Sequence, residues 1–110
     1  MARYDAEFCR LEVEFLRDPR YLLLKPVSVK LYLWLWGWAV HCRQEVVRVP
    51  NGEMVRFLAL NTGMSVRDVQ IGLDELCGEG FGLLAWLEDG GVRVVGVASK
   101  HPKLKDWNGR

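Results

Sequence analysis

The chain has 110 residues, half of them hydrophobic and 26% charged, a balance that suits one globular domain and excludes a disordered chain. Formal net charge is +1, so no global field draws the protein to nucleic acid, and any such case rests on local charge. Cys9, Cys42 and Cys77 are odd in number and far apart, which fits reduced thiols rather than a disulfide framework.

The N-terminal stretch scatters acids and bases among its apolar residues, so it has no apolar run of the kind a secretory signal needs. Within it, "CRLEVEF" (9–15) alternates Leu11, Val13 and Phe15 with Arg10, Glu12 and Glu14. That period of two predicts a short strand or extended arm. Pro19 and Pro26 then bias their preceding residues away from helix and mark the end of an arm of about 25 residues.

"PVSVKLYLWLWGWAVHCR" (26–43) carries no charge between Lys30 and Arg43. The twelve uncharged residues Leu31–Cys42 are too few for a membrane span, which needs roughly 20. A cytoplasmic protein is expected. The stretch is also too long for one strand and contains no turn, so it is predicted as a helix with proline in its first turn. At about 100° per residue, Tyr32 and Trp36 lie on one side, with Trp34 and Trp38 nearly opposite. A helix apolar all round must be covered all round. Neighbouring elements can cover one of the two aromatic sides. The other calls for Leu11, Val13 and Phe15 of the arm and for a second copy of the chain, since a large exposed apolar patch is usually an interface. A homodimer is therefore expected, with Leu11, Val13, Phe15, Trp34 and Trp38 at its interface.

Further along, "EVVRVP" reads as a short strand and Pro50-Asn51-Gly52 as a turn. "GEMVRFLALNTG" reads as a short helix ending near Gly63. "SVRDVQIGLDELCG" is predicted as a helix capped by Ser65, with Asp68 three residues on. Val66, Val69, Leu73, Leu76 and Cys77 form its apolar stripe, and Arg67, Gln70, Asp74 and Glu75 its exposed side. "FGLLAWLEDGGVRVVGVAS" gives two β-rich runs around Asp89-Gly90-Gly91, a hairpin signal. The glycines of "GEGFG" (78–82) follow a helix and precede a strand, the reverse of a phosphate loop, and no lysine closes them. They are read as structural.

Helix, strand, helix, tight turn, helix and hairpin is the element order of a winged helix-turn-helix. The expected class is α+β, mostly α: a three-helix core with a C-terminal β-hairpin wing and an N-terminal arm over residues 1–97, then a basic tail over 98–110. "LEVEFLRDPRYLLLKPVSVKLYLWLWGWAV" and "LALNTGMSVRDVQIGLDELCGEGFGLL" resemble the N-terminal winged-helix domain of phage replisome organisers and DnaD-type primosomal proteins. The resemblance covers roughly residues 8–97. It implies a role in initiating DNA replication, with DNA contact, self-association and other replication proteins as partners. Such proteins usually carry a second, C-terminal domain that adds DNA binding, and the resemblance here is to the first domain alone.

Local charge divides on DNA. Residues 65–79 set Arg67 against Asp68, Asp74, Glu75 and Glu79, a net −3 that suits phosphates poorly. Arg67 and Gln70, near the helix start, can still reach base edges, or simply belong to a solvated face. The tail sets Lys100, Lys103, Lys105 and Arg110 against Asp106, a net +3, with His101 and Trp107 interleaved. That mix suits phosphate contact and base stacking; equally, the tail is a solubilising terminus with Trp107 folded back. Candidate DNA-binding residues are Arg67, Gln70, Arg93, Lys100, His101, Lys103 and Lys105. The alternative is a winged helix used for protein association without DNA. No catalytic residues, cofactor, metal or small-molecule substrate are expected: adjacent His41 and Cys42 point apart, and no serine lies in a nucleophile motif.

Overall fold

The long helix forms over Pro26–Cys42 (α1) in the computed structural model, which describes residues 19–101 and 103–109. Lys25 is extended ahead of Pro26, and α1 ends where Arg43 turns left-handed at φ 56° and donates its N–H to Ala39 O. One helical turn, Pro19–Leu22, precedes it. The arm expected at 9–15, with Leu11, Val13 and Phe15, lies outside the described residues.

Three helices and a three-stranded antiparallel sheet make up the described chain, which is α+β and mostly helical. After α1 come β1 (Val46–Val47), α2 (Met54–Thr62), α3 (Val66–Leu76), β2 (Leu84–Trp86) and β3 (Val92–Val94). β3 is central: Val46 faces Arg93 and Val47 faces Val92 on one side, while Leu84, Ala85 and Trp86 face Val94, Arg93 and Val92 on the other. Val92 and Val94 are buried and Arg93 between them is exposed, the alternation of a sheet with one covered face. The β2–β3 connection closes through Leu87 N–H to Gly91 O at 2.8 Å, with Gly90 left-handed at φ +86°.

The core forms where α1 meets α3 and the inner face of the sheet. Leu31, Tyr32, Leu35, Trp36 and Ala39 recur at helical spacing along α1 and are buried, so the Tyr32–Trp36 side is the one that faces the core. Val69, Leu73 and Leu76 of α3 are also buried, each large aliphatic contributing about 1.5–3 kcal/mol. Val66 departs from the expected stripe: as the first residue of α3 it is 57% exposed. Gly72 takes a place in the stripe instead. A Cβ there would lie 3.0 Å from Leu31 Cδ2 and 3.5 Å from Val27 O, so glycine lets α3 approach the α1 backbone.

The segment past Val97, read in sequence as a basic tail, returns to α1 at two points. His101 is buried, and its Nε2 accepts the Trp36 Nε1–H at 3.1 Å. Its ring is tilted against the indole at 5.7 Å, and Trp36 is tilted against Tyr32 at 5.8 Å. Farther on, Asn108 donates its backbone N–H to Arg43 O at 2.7 Å and accepts the Glu45 N–H on Oδ1 at 3.0 Å. Trp107 beside it packs half-buried against the core. No helix among the described residues is long and apolar enough to cross a membrane.

Candidate nucleic-acid interface and an aromatic groove

Two surfaces carry the residues singled out by sequence. The first is the start of α3. α2 stops at Thr62, Gly63 turns left-handed at φ 73° and donates its N–H to Ala59 O, and α3 begins three residues later. Ser65 Oγ accepts the Asp68 N–H at 3.1 Å, satisfying one of the orphan donors of the first turn. The Thr62 hydroxyl braces the turn, donating to Leu58 O at 2.7 Å and accepting from Met64 N at 3.3 Å. This rigid turn presents Val66, Arg67 and Gln70 to solvent, with Leu60 of α2 also exposed.

The acids of α3 are disposed less adversely than their count implies. Glu75 turns inward, where its Oε1 accepts the Lys25 N–H at 2.9 Å, so a carboxylate meets the positive end of α1. The Ser28 hydroxyl beside it, then the Lys25 amide and charge, hold the Glu75 carboxyl below its ordinary value against partial desolvation. Ser28 Oγ is fully buried and stops short of a complete hydrogen bond, so its effect is that of a nearby dipole. Asp74 accepts the Gln70 Nε2–H at 2.9 Å, which ties Gln70 to its own helix. Arg67 is thus the better placed of the two for an outside partner.

The remaining candidates are spread out. Arg93 is exposed on the outer face of the sheet, and Lys103 and Lys105 are exposed beyond it. Lys100 is half-buried and engaged. His101 is corrected outright: at 1% exposure and bonded to Trp36, it serves the core and cannot meet a phosphate or stack on a base. Its neighbours misled the sequence reading, because a histidine among lysines carries no signal that its partner lies 65 residues away. Sequence also held no hint of the Arg48–Asp89 pair at 3.1 Å, which ties β1 to the hairpin turn. The Gly91 N–H and then Arg48 hold the Asp89 carboxyl below its ordinary value.

The second surface is the outer side of α1. Lys30, Leu33, Trp34, Gly37, Trp38 and His41 of α1, with Asn61 and Thr62 of α2, line an open groove of about 470 Å³. Trp34 and Trp38 are half-buried, and Phe57 of α2 meets the Trp34 ring edge-on at 6.0 Å and 73°. Gly37 lines the same groove. The Asn61 amide donates to Phe57 O at 2.8 Å and the Thr62 hydroxyl to Leu58 O, so both are already occupied. Among the described residues of the lining, Lys30 and His41 are the ionisable groups. Cys42 is exposed where α1 ends.

Elsewhere the chemistry is quiet. Burial, with Asp74 nearby, pushes the Cys77 thiol up to about 11, the reverse of an activated nucleophile. Among the described residues, no group of three His, Cys, Asp or Glu could hold a metal ion. No protein-family model, curated protein or solved structure matches the chain.

Proposed function

We propose that the chain is a winged helix-turn-helix module that contacts DNA, of the replication-initiation kind its sequence resembles. The observation that carries this reading is the presented start of α3: two helices joined by three residues around Gly63, the second capped by Ser65 and exposing Arg67 in its first turn. The order α1-β1-α2-α3-β2-β3 and the sheet order β1-β3-β2 support this reading, in which the 84–94 hairpin is the wing. In this reading Arg67 reaches a base edge, and exposed Val66 offers methyl groups to a thymine methyl. Arg93, Lys103 and Lys105 meet phosphates, with Lys100 nearby. Asp74 lies about 10 Å along the axis from Arg67, roughly one Debye length at physiological salt, so it opposes the approach only weakly.

Fluorescence anisotropy with a labelled duplex, across a salt series, tests the reading. Binding should weaken as salt rises, and replacing Lys103 and Lys105 by alanine should flatten the log–log slope by about 0.9 for each phosphate no longer neutralised. Arg67→Ala should relax sequence preference more than it lowers overall affinity. Asp74→Asn, which removes a charge and loosens Gln70, should bind more tightly. Absence of salt-dependent binding at low ionic strength sinks the DNA reading. It would then select a second one, a winged helix used for protein association, which the groove at Trp34 and Trp38 favours.

A further inference from the structure

Asn51 and Asn108 are each followed by glycine. An Asn-Gly pair is the dipeptide most prone to lose its side-chain amide, because glycine carries no Cβ to keep its backbone nitrogen from the asparagine Cγ. Both asparagines are exposed and left-handed, at φ 60°, ψ 27° for Asn51 and φ 57°, ψ 30° for Asn108. What separates them is how each side chain is held. The Asn51 amide has no partner among the described residues, and the space around Gly52 is open. Asn108 is fastened at three atoms. Its backbone N–H donates to Arg43 O at 2.7 Å, its Oδ1 accepts the Glu45 N–H at 3.0 Å, and its Nδ2 donates to Glu45 Oε1 at 3.1 Å.

We propose that Asn108–Gly109 is a deamidation site whose reaction releases the C-terminal segment for good, at a rate set by the bonds to Arg43 and Glu45. Gly109 N attacks Asn108 Cγ, the new N–C bond closes a succinimide ring, and the Cγ–Nδ2 bond breaks. The side-chain nitrogen leaves as ammonia, carrying the proton from Gly109 N. Water then opens the ring at either carbonyl, restoring an N–H and leaving aspartate or isoaspartate at position 108. No electrons change hands, and water is the co-reactant. The attack requires rotation at Asn108, which its three bonds resist, so it proceeds only from chains that have opened locally. Afterwards the Nδ2 donor is gone and a carboxylate faces Glu45 Oε1, so attraction becomes like-charge repulsion. Trp107 is poorly suited to hold the segment by itself. Its Nε1–H is buried with no acceptor among the described residues, which offsets part of the gain from packing. A transient opening is thereby turned into a permanent one.

The test follows both sites in one digest of the full chain by peptide mapping, at mildly alkaline pH. In urea, where neither side chain is held, the two should convert at similar rates. In the folded chain Asn108 should lag Asn51 by about tenfold or more, since each hydrogen bond shifts the opening equilibrium a few-fold. Glu45→Ala removes the Oε1 acceptor and should speed Asn108 by about threefold or more, with Asn51 unchanged as the internal control. Converted chains should be cut by trypsin at exposed Lys103 and Lys105 about tenfold faster than unconverted ones. Asn108→Asp installs the carboxylate directly and should show the same fast cleavage, which keeps the release testable whatever Glu45→Ala does to folding. Folded chains in which Asn108 keeps pace with Asn51, or in which its rate ignores Glu45→Ala, would overturn the proposal. Equal trypsin cleavage of the parent chain and Asn108→Asp would do so as well.

Discussion

Replacing His101 by leucine distinguishes a C-terminal segment built into the core from one free to meet DNA. The imidazole is 1% exposed and its Nε2 accepts the Trp36 indole N–H at 3.1 Å. Leucine fills similar space without an acceptor, so the buried indole N–H loses its partner, at a cost of about 1–3 kcal/mol. Trp36→Phe makes the converse defect, an imidazole acceptor without its donor, together with a smaller ring that packs less well. In the double variant both polar partners are gone, and removing a matched pair is far less costly than removing either member alone. The double variant should therefore be more stable than the two single losses predict, by about 0.5–3 kcal/mol. Against a domain stability of about 5–15 kcal/mol, each single loss is easily measured. Urea unfolding followed by circular dichroism gives the cycle, and the melting point should drop about 4 °C for each kcal/mol lost. Losses that add within about 0.5 kcal/mol would refute the bond. A silent His101→Leu would return residue 101 to the surface and to the DNA-facing set.

Ser65→Ala removes the acceptor for the Asp68 N–H and should cost about 1 kcal/mol in the same unfolding assay. At pH 8 a thiol with a pKa of about 11 is roughly 0.1% thiolate, against about a quarter for an ordinary thiol at 8.5. Cys77 should thus be alkylated by iodoacetamide on the order of a hundred times more slowly than exposed Cys42, as peptide mapping over time would show. Glu75 has a lowered pKa in the folded chain, so its stabilisation is full above the ordinary glutamate value of about 4.3 and is lost as pH falls through the folded value. Glu75→Gln should cost stability at pH 7 and make the chain less sensitive to acid between about pH 5 and 3.

Where local pattern and tertiary packing agree, the elements were legible. α1, α2 and α3 formed within a residue or two of their expected ends, because Pro26, Gly63 and Ser65 act on the backbone directly and need no partner. The hairpin formed for the same reason at Gly90. Side-chain destinations were less legible. Periodicity placed Tyr32 and Trp36 opposite Trp34 and Trp38 but offered no means of choosing the inner side, since both pairs are equally apolar. Val66 and Glu75 went the other way from the helical stripe because of what lies at the two ends of α3. One end projects into solvent, and the other meets the start of α1. His101 and Asn108 join residues on α1 and just past its end that are more than sixty positions away, and composition holds no trace of such pairs.

The two candidate surfaces meet at one residue, which decides how they can be tested separately. Thr62 lines the α1 groove, and its hydroxyl also holds the turn that leads into α3, bonded to Leu58 O and to Met64 N. A substitution at Thr62 would alter the groove wall and the seat of Arg67 together, so a change in DNA affinity could not be assigned to either. Trp38 lies in the groove on α1, outside that turn. It is half-buried, so Trp38→Ala removes the groove floor at less cost than the roughly 3–5 kcal/mol of a fully buried tryptophan. If DNA binding depends on the α3 start alone, Trp38→Ala should leave affinity and its salt slope unchanged. If Trp38→Ala weakens DNA binding, the groove and the α3 start are energetically coupled, and Thr62 is the residue through which they touch.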